Sequence, residues 1–102
     1  MNSEKSKRLI KRYPDRVPLV IRKKSLTGAE IRLKAMVCKN TTIRELMIMV
    51  RKREKISATC AVYLFVNNTL PTYVTEVGEI YEHHKDEHGF LYIDYAFEAT
   101  FG

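Results

Sequence analysis

The chain has 102 residues, 45% of them apolar, which suits one folded domain with a single core and excludes both a disordered chain and a two-core assembly. No uncharged apolar run approaches the ~18–20 residues of a membrane helix, and the opening MNSEKSKRLIKRYPDR lacks the apolar centre of a signal peptide, so a cytoplasmic location is expected. The net charge of +6 is lopsided: residues 1–24 carry nine basic and two acidic side chains (+7) and the remainder nine against ten (−1), a basic front that attracts phosphates, anionic lipid headgroups or acidic peptides.

Residues 3–11 read as a short helix, capped by Ser3, with Leu9 and Ile10 as its apolar contacts. YPDRVP stops it, because Pro14 pushes Tyr13 out of the helical region. Residues 1–12 are therefore a short basic helical extension and residues 13–102 the main domain. VPLVIRKK, from Val17, is rich in strand formers; SLTGAE breaks it, with Gly28 suited to a tight turn, and IRLKAMVC follows, so the two runs form a hairpin. In the second run Ile31, Leu33, Ala35 and Val37 alternate with Arg32, Lys34, Met36 and Cys38, giving one apolar and one mixed face. If Val17, Leu19 and Ile21 join Leu33, Ala35 and Val37 in the core, Pro18, Val20, Lys34 and Met36 share the opposite face.

NTTIRELMIMVRKREK changes the period. Thr42 with Glu45 is a capping box, and Ile43, Leu46, Met47 and Val50 form a stripe at i, i+3, i+4, i+7. Arg51, Lys52 and Arg53 lie where the helix dipole favours cations, and Ile48 and Met49 fall off the stripe, partly exposed. AVYLFVNN is a third strand ending in turn residues Asn67 and Asn68; one of its faces is core, and Tyr63 and Phe65 on the other offer a docking face for enzymes. A loop with Pro71 leads to a second short helix, from near Thr75 to Gly89 at the latest, and FLYIDYAFEAT is the last strand.

Cys38 and Cys60 lack the spacing of a metal or redox pair and read as reduced, partly buried thiols. His84 and His88 at i, i+4, beside His83 and Asp86, have no further ligand at suitable spacing; they read as a solvated helix end, and no metal or cofactor is expected. No nucleophile–base set, phosphate-cradling glycine loop or carboxylate pair is visible, so the chain is read as a substrate of enzymes and not an enzyme. The basic arm lacks interleaved aromatics or a groove-reading motif, which disfavours nucleic acid as a partner.

The order helix, strand, strand, helix, strand, short helix, strand is that of an α+β ubiquitin-like β-grasp: a four-stranded mixed sheet, a crossing helix and a second short helix, preceded by one short N-terminal helix. That order alone decides no function. The words KRYPDRVPLVI, RKREKI, LFVNNTLPT and VGEIYEHHKDEHGFLYIDY, with the terminal FG, occur together and in order from about Lys5 to Gly102. In this the chain resembles the GABARAP-type autophagy modifiers.

The resemblance implies that a cysteine protease exposes or releases the C-terminal glycine. Activating and conjugating enzymes would then carry it through thioesters to phosphatidylethanolamine, giving an autophagosome-membrane form. Gly102 would be the acyl donor, since a tail ending without a side chain enters narrow active sites and lets an amine reach the carbonyl; with nothing after it, either the gene encodes the mature form or the chain was cut there. The resemblance also implies that cargo receptors with an aromatic-x-x-aliphatic motif and acidic flanks add a strand beside the second strand. The aromatic pocket would be lined by Leu9, Pro18, Val20, Lys34, Met36 and Phe90, and the aliphatic pocket by Val37, Leu46 and Met49. Lys34 and Arg53, joined by Arg16, would meet the acidic flank. A peptide-binding adaptor of the same fold that is never conjugated is the alternative. Ala35 and Cys38 depart from the family's bulky residue and proline, which alters the aliphatic pocket, and a single helix before Tyr13 stands where relatives usually have two.

Overall fold

Along residues 3–99, the part of the chain that the computed structural model describes, the order is α1 (Ser3–Arg12), β1 (Arg16–Ser25), β2 (Gly28–Cys38), α2 (Ile43–Arg53), β3 (Cys60–Phe65), α3 (Val77–His84) and β4 (Leu91–Ala99). The strands form one mixed sheet in the order β2-β1-β4-β3, with β1 and β4 parallel at its centre and the other two pairs antiparallel. This is the ubiquitin-like α+β fold that the element order predicts.

Five consecutive residues of β1, Val17 to Ile21, are buried, the signature of a strand covered on both faces. Val17, Leu19 and Ile21 meet Leu46 and Val50 of α2, Val77 and Ile80 of α3 and Leu91 and Ile93 of β4 in one core. Val20 and Phe90 lie outside that cluster yet are almost inaccessible, at 0% and 3% exposure, on the sheet face that carries α1. Leu33 and Ala35 pack against the core but stay half-buried, because β2 is an edge strand.

The capping box is present in full: the Thr42 hydroxyl accepts from the Glu45 N–H at 3.2 Å, and the Glu45 carboxylate accepts from the Thr42 N–H at 3.0 Å. The next two amides are satisfied across the chain, Ile43 N–H donating to the Thr75 carbonyl and Arg44 N–H to that of Tyr73. In return Val77 and Gly78, opening α3, donate to the carbonyls of Thr41 and Lys39. A Cβ on Gly78 would sit 3.0 Å from the Lys39 carbonyl oxygen, so the two helix starts approach closely only with glycine there.

Several boundaries differ from the sequence reading. The residues SLTGAE are not all turn: Ser25 pairs with Gly28, leaving a two-residue loop, Leu26 and Thr27. A bulge after Ile21 pairs Arg22 with Ile31 and turns Ile31 out of the core face, leaving it 49% exposed. Ser3 is not a cap outside the helix but its first described residue. α2 ends at Arg53, with Glu54 as its C-cap and Lys55 in the left-handed region. α3 stops at His84, so His88 does not share a helix face with it and belongs to the following turn. There the Ser6 hydroxyl donates to the His88 carbonyl at 2.5 Å and closes so tightly on Gly89 (φ +84°) that a Cβ would lie 2.6 Å from Ser6 Oγ. Cys38 is exposed at the end of the edge strand, and Cys60 is half-buried; both are free thiols.

Thr42→Ala removes the cap acceptor and leaves no cavity. It is expected to lower stability by about 1 kcal/mol, read in urea denaturation as a shifted midpoint with an unchanged slope.

Candidate functional site: the β2 edge and its two cavities

The register of β1 and β2 sorts the predicted residues onto two faces. Pro18 faces Met36 and Val20 faces Lys34 on the outer side; Val17 faces Val37, Leu19 faces Ala35 and Ile21 faces Leu33 on the helix side. Because β2 is an edge, its backbone groups away from β1 are unpaired by the sheet, and a cavity opens on either side of that edge.

The outer cavity, of about 200 Å³, lies between α1 and the strands. Leu9, Pro18, Lys34, Met36 and Phe90 line it, with Lys5 added from α1. Val20 does not reach it and lies buried in the sheet. Lys5 falls beyond sequence reasoning because only the docking angle of α1 brings it here.

The second cavity, of about 490 Å³, lies between β2 and α2. Val37, Leu46, Met49 and Arg53 converge on it, together with Leu33, Arg32, Lys52 and Glu54. Ala35 borders both cavities, so the small residue stands at the partition between them. The off-stripe Met49, 47% exposed, is part of this wall. Arg16 lines neither cavity; it opens β1 opposite Cys38 and stacks its guanidinium over Tyr13 at 5.5 Å.

The rim is predominantly cationic, with Lys34, Arg32, Lys52 and Arg53 against Glu54. Glu54 is held by two donors: the Tyr95 hydroxyl at 2.5 Å and Arg32 Nε at 2.9 Å, both on Oε1. The Tyr95 hydrogen bond is the main reason that its carboxyl lies below the ordinary glutamate range, with Arg32 adding to the effect against desolvation. Burial, then the Glu54 bond, pushes the Tyr95 phenol up to about 12. The Glu54 bond likewise raises the Arg32 guanidinium above its ordinary value. With its one acid internally neutralised, the rim presents a net positive field to an incoming chain. Tyr95 and Glu54 carried no sequence signal, since their meeting depends on β4 passing beneath the end of α2.

A third apolar cavity, of about 310 Å³, is lined by Tyr63, Met47, Leu70, Pro71 and Tyr73 beside β3, the opposite edge. Phe65 is half-buried beneath the Lys24 ammonium at 4.8 Å. Asn67 and Asn68 make a left-handed two-residue turn closed by Val66 and Thr69. The histidines are dispersed: His84 Nδ1 lies 2.9 Å from the Asn67 amide, His83 Nδ1 2.9 Å from the Glu79 carbonyl, and His88 Nδ1 3.3 Å from Ser3 Oγ. Gly102 lies outside the described residues.

Residues 1–102 match the profile of "Autophagy protein Atg8 ubiquitin like". The chain is 40% identical to Autophagy-related protein 8a of Arabidopsis thaliana over 99 residues, covering 95% of this chain and 81% of that protein. It is 39% identical to Autophagy-related protein 8 of Schizosaccharomyces pombe, covering 95% and 82%. The crystal structure of Trypanosoma brucei ATG8 superposes with a TM-score of 0.84 at 33% identity, over 98% of this chain and 88% of the other.

The tyrosine pair gives a pH test. The folded state holds Tyr95 protonated, so its contribution is complete below pH 10 and is lost as pH rises through about 12. Glu54 acts in the opposite sense: its contribution is present above the ordinary glutamate value of 4.5 and is lost as pH falls through its lower folded value. Tyr95→Phe is expected to cost about 1.5 kcal/mol at neutral pH. In a series of melting temperatures against pH, it should also flatten the fall between pH 10 and 12 and shrink the acid-side loss.

Proposed function

Because the chain belongs to the Atg8 family of ubiquitin-like autophagy proteins, we propose that it is a modifier joined through Gly102 to phosphatidylethanolamine, which gathers cargo receptors on its β2 edge. Within the family, KRYPDRVPLVI, RKREKI and the terminal FG favour the GABARAP type. The observation that carries the recruiting role is the pair of apolar cavities flanking one unpaired strand edge under a cationic rim. An extended peptide there extends the sheet by one strand, and side chains three positions apart, as in aromatic-x-x-aliphatic, fall to opposite faces, one toward each cavity. The outer cavity takes the aromatic anchor and the larger one the aliphatic anchor, with acidic flanks meeting Lys34 and Arg53.

In the conjugation half the protein is a substrate, not a catalyst. A cysteine protease exposes or releases Gly102. An activating enzyme adenylates its carboxyl, an enzyme thiolate displaces the adenylate, and the lipid amine attacks the resulting thioester, forming an amide as the thiolate leaves. Residues 13–102 form the conjugated domain and residues 1–12 its basic extension. No helix among the described residues is long and apolar enough to cross a membrane, so membrane residence in this reading comes from the attached lipid. The cavity beside Tyr63 and Tyr73 offers the processing and conjugating enzymes a surface remote from the peptide edge.

The test is reconstitution with the activating and conjugating enzymes of the same source, ATP and vesicles containing phosphatidylethanolamine, read by intact mass. The parent chain should gain one lipid and Gly102→Ala none, while both bind an aromatic-x-x-aliphatic peptide alike. Failure to form a thioester, with enzymes active on another substrate, would move the reading to an unconjugated adaptor. Met49→Glu should weaken that peptide about tenfold or more without affecting lipidation. Ala35→Tyr should narrow the partition and shift preference toward smaller aliphatic anchors, measured by titration calorimetry over a Val, Ile and Leu peptide series.

A further inference from the structure

We propose that the tip of the β1–β2 hairpin makes a second contact with membrane, Leu26 entering the headgroup layer while Lys23 and Lys24 meet anionic phospholipid. The proposal rests on the attachment of lipid at Gly102, which tethers the chain.

β4 runs parallel to β1, with Leu19 beside Leu91 and Lys23 beside Tyr95, so the strand leading to the C-terminal residues advances toward the same pole as the hairpin. By Ala99, which pairs with Cys60 at the start of β3, β4 is four residues past the Lys23–Tyr95 pair, level with the hairpin loop. Leu26 is fully exposed, at 108%, on a two-residue loop. Phe97 is exposed on the same end and carries the Lys23 ammonium 5.3 Å from its ring.

The acidic groups nearest the tip are already engaged: Glu30 lies 3.4 Å from Arg32, and Glu98 accepts from the Tyr63 hydroxyl at 3.2 Å. Asp94 is bound by Arg22 at 2.6 and 3.1 Å. Of these only Glu98, whose partner is a neutral hydroxyl, keeps its charge, and Lys23 and Lys24 outweigh it; the Lys24 ammonium donates to Asn68 Oδ1 at 2.8 Å, an exposed neutral partner that a headgroup phosphate replaces. The net charge is complementary to anionic headgroups, and the lysine stems allow the ammonium groups to stay at the interface while Leu26 goes deeper. One leucine and a few lysines hold a free chain weakly. A tether changes this, because the effective concentration at the surface makes even a weak contact populated.

The chain contains no tryptophan, so Leu26→Trp supplies a sole reporter. Lipidated on vesicles of phosphatidylcholine, phosphatidylethanolamine and phosphatidylserine, it should show blue-shifted emission quenched by brominated acyl chains. Glu82→Trp, exposed on α3 ahead of the turn that enters the opposite end of β4, should stay water-like and unquenched. Lys23→Glu/Lys24→Glu in the Leu26→Trp chain should lower the contact's equilibrium constant by about fivefold or more per lysine. A lipid adduct of the Leu26→Trp chain, verified by mass, whose indole emission is unshifted and unquenched overturns the contact. Equal quenching without phosphatidylserine overturns the anionic-lipid assignment. If the enzymes form no adduct, Gly102→Cys in a Cys38→Ser, Cys60→Ser background is coupled to maleimide-bearing phosphatidylethanolamine. Quenching there supports the tip contact although the conjugation reading has failed, and its absence overturns both.

Discussion

The parallel pairing of β1 with β4 is the constraint on which the rest of the architecture depends. Parallel neighbours require a long connection, and here β2, α2, β3 and α3 all lie between them. Placing these two strands at the centre buries Val17 to Ile21 on both faces and forces β2 and β3 to the edges. The apolar face of β2 is then only partly covered: Leu33 and Ala35 contact the core from one side and border a cavity from the other. The candidate site is thus a by-product of how the core is closed, since the same pairing that satisfies β1 leaves β2 with an open backbone.

What the sequence made legible was whatever depends on neighbours a few residues apart. The Thr42 capping box, the α2 stripe and the strand parity of Pro18, Val20, Lys34 and Met36 are local patterns, and each reappears in the structure. The bulge at Arg22 was not legible, because Ile31 continues an alternation that only the cross-strand register interrupts. His84 and His88 looked like a helical pair because nothing local marks the end of α3 at His84; Lys85 is no strong stop signal. Arg16 was placed by resemblance, and its stacking on Tyr13 is a contact between residues whose spacing carries no pattern. The motifs placed most of the candidate residues on the right elements. Lys5, Arg32, Glu54 and Tyr95 joined them through tertiary packing alone.

The Arg32–Glu54–Tyr95 group joins the interior to the site rim. Tyr95 is almost wholly buried in the core, and its hydroxyl reaches the carboxylate that also fixes Arg32. The C-cap of α2, the bulged segment of β2 and the central strand β4 therefore meet at one acid. A rim cation held this way loses less side-chain freedom when a ligand arrives than a free one does. The same tie sets the spacing between α2 and β2, and hence the width of the larger cavity.

The open edge of β2 also bears on how the protein tolerates its own concentration. Two copies meeting edge to edge in an antiparallel ladder centred near Leu33 would set Arg32 and Lys34 of one against those of the other, at spacings where like charges repel. The bulge beside Arg22 further spoils the flat register that such a ladder needs. An acidic peptide meets no like charge there, and a short one pairs along residues 33–38, past the bulge. Crowding would therefore leave the edge unpaired by its own kind, because its charges turn identical strands away.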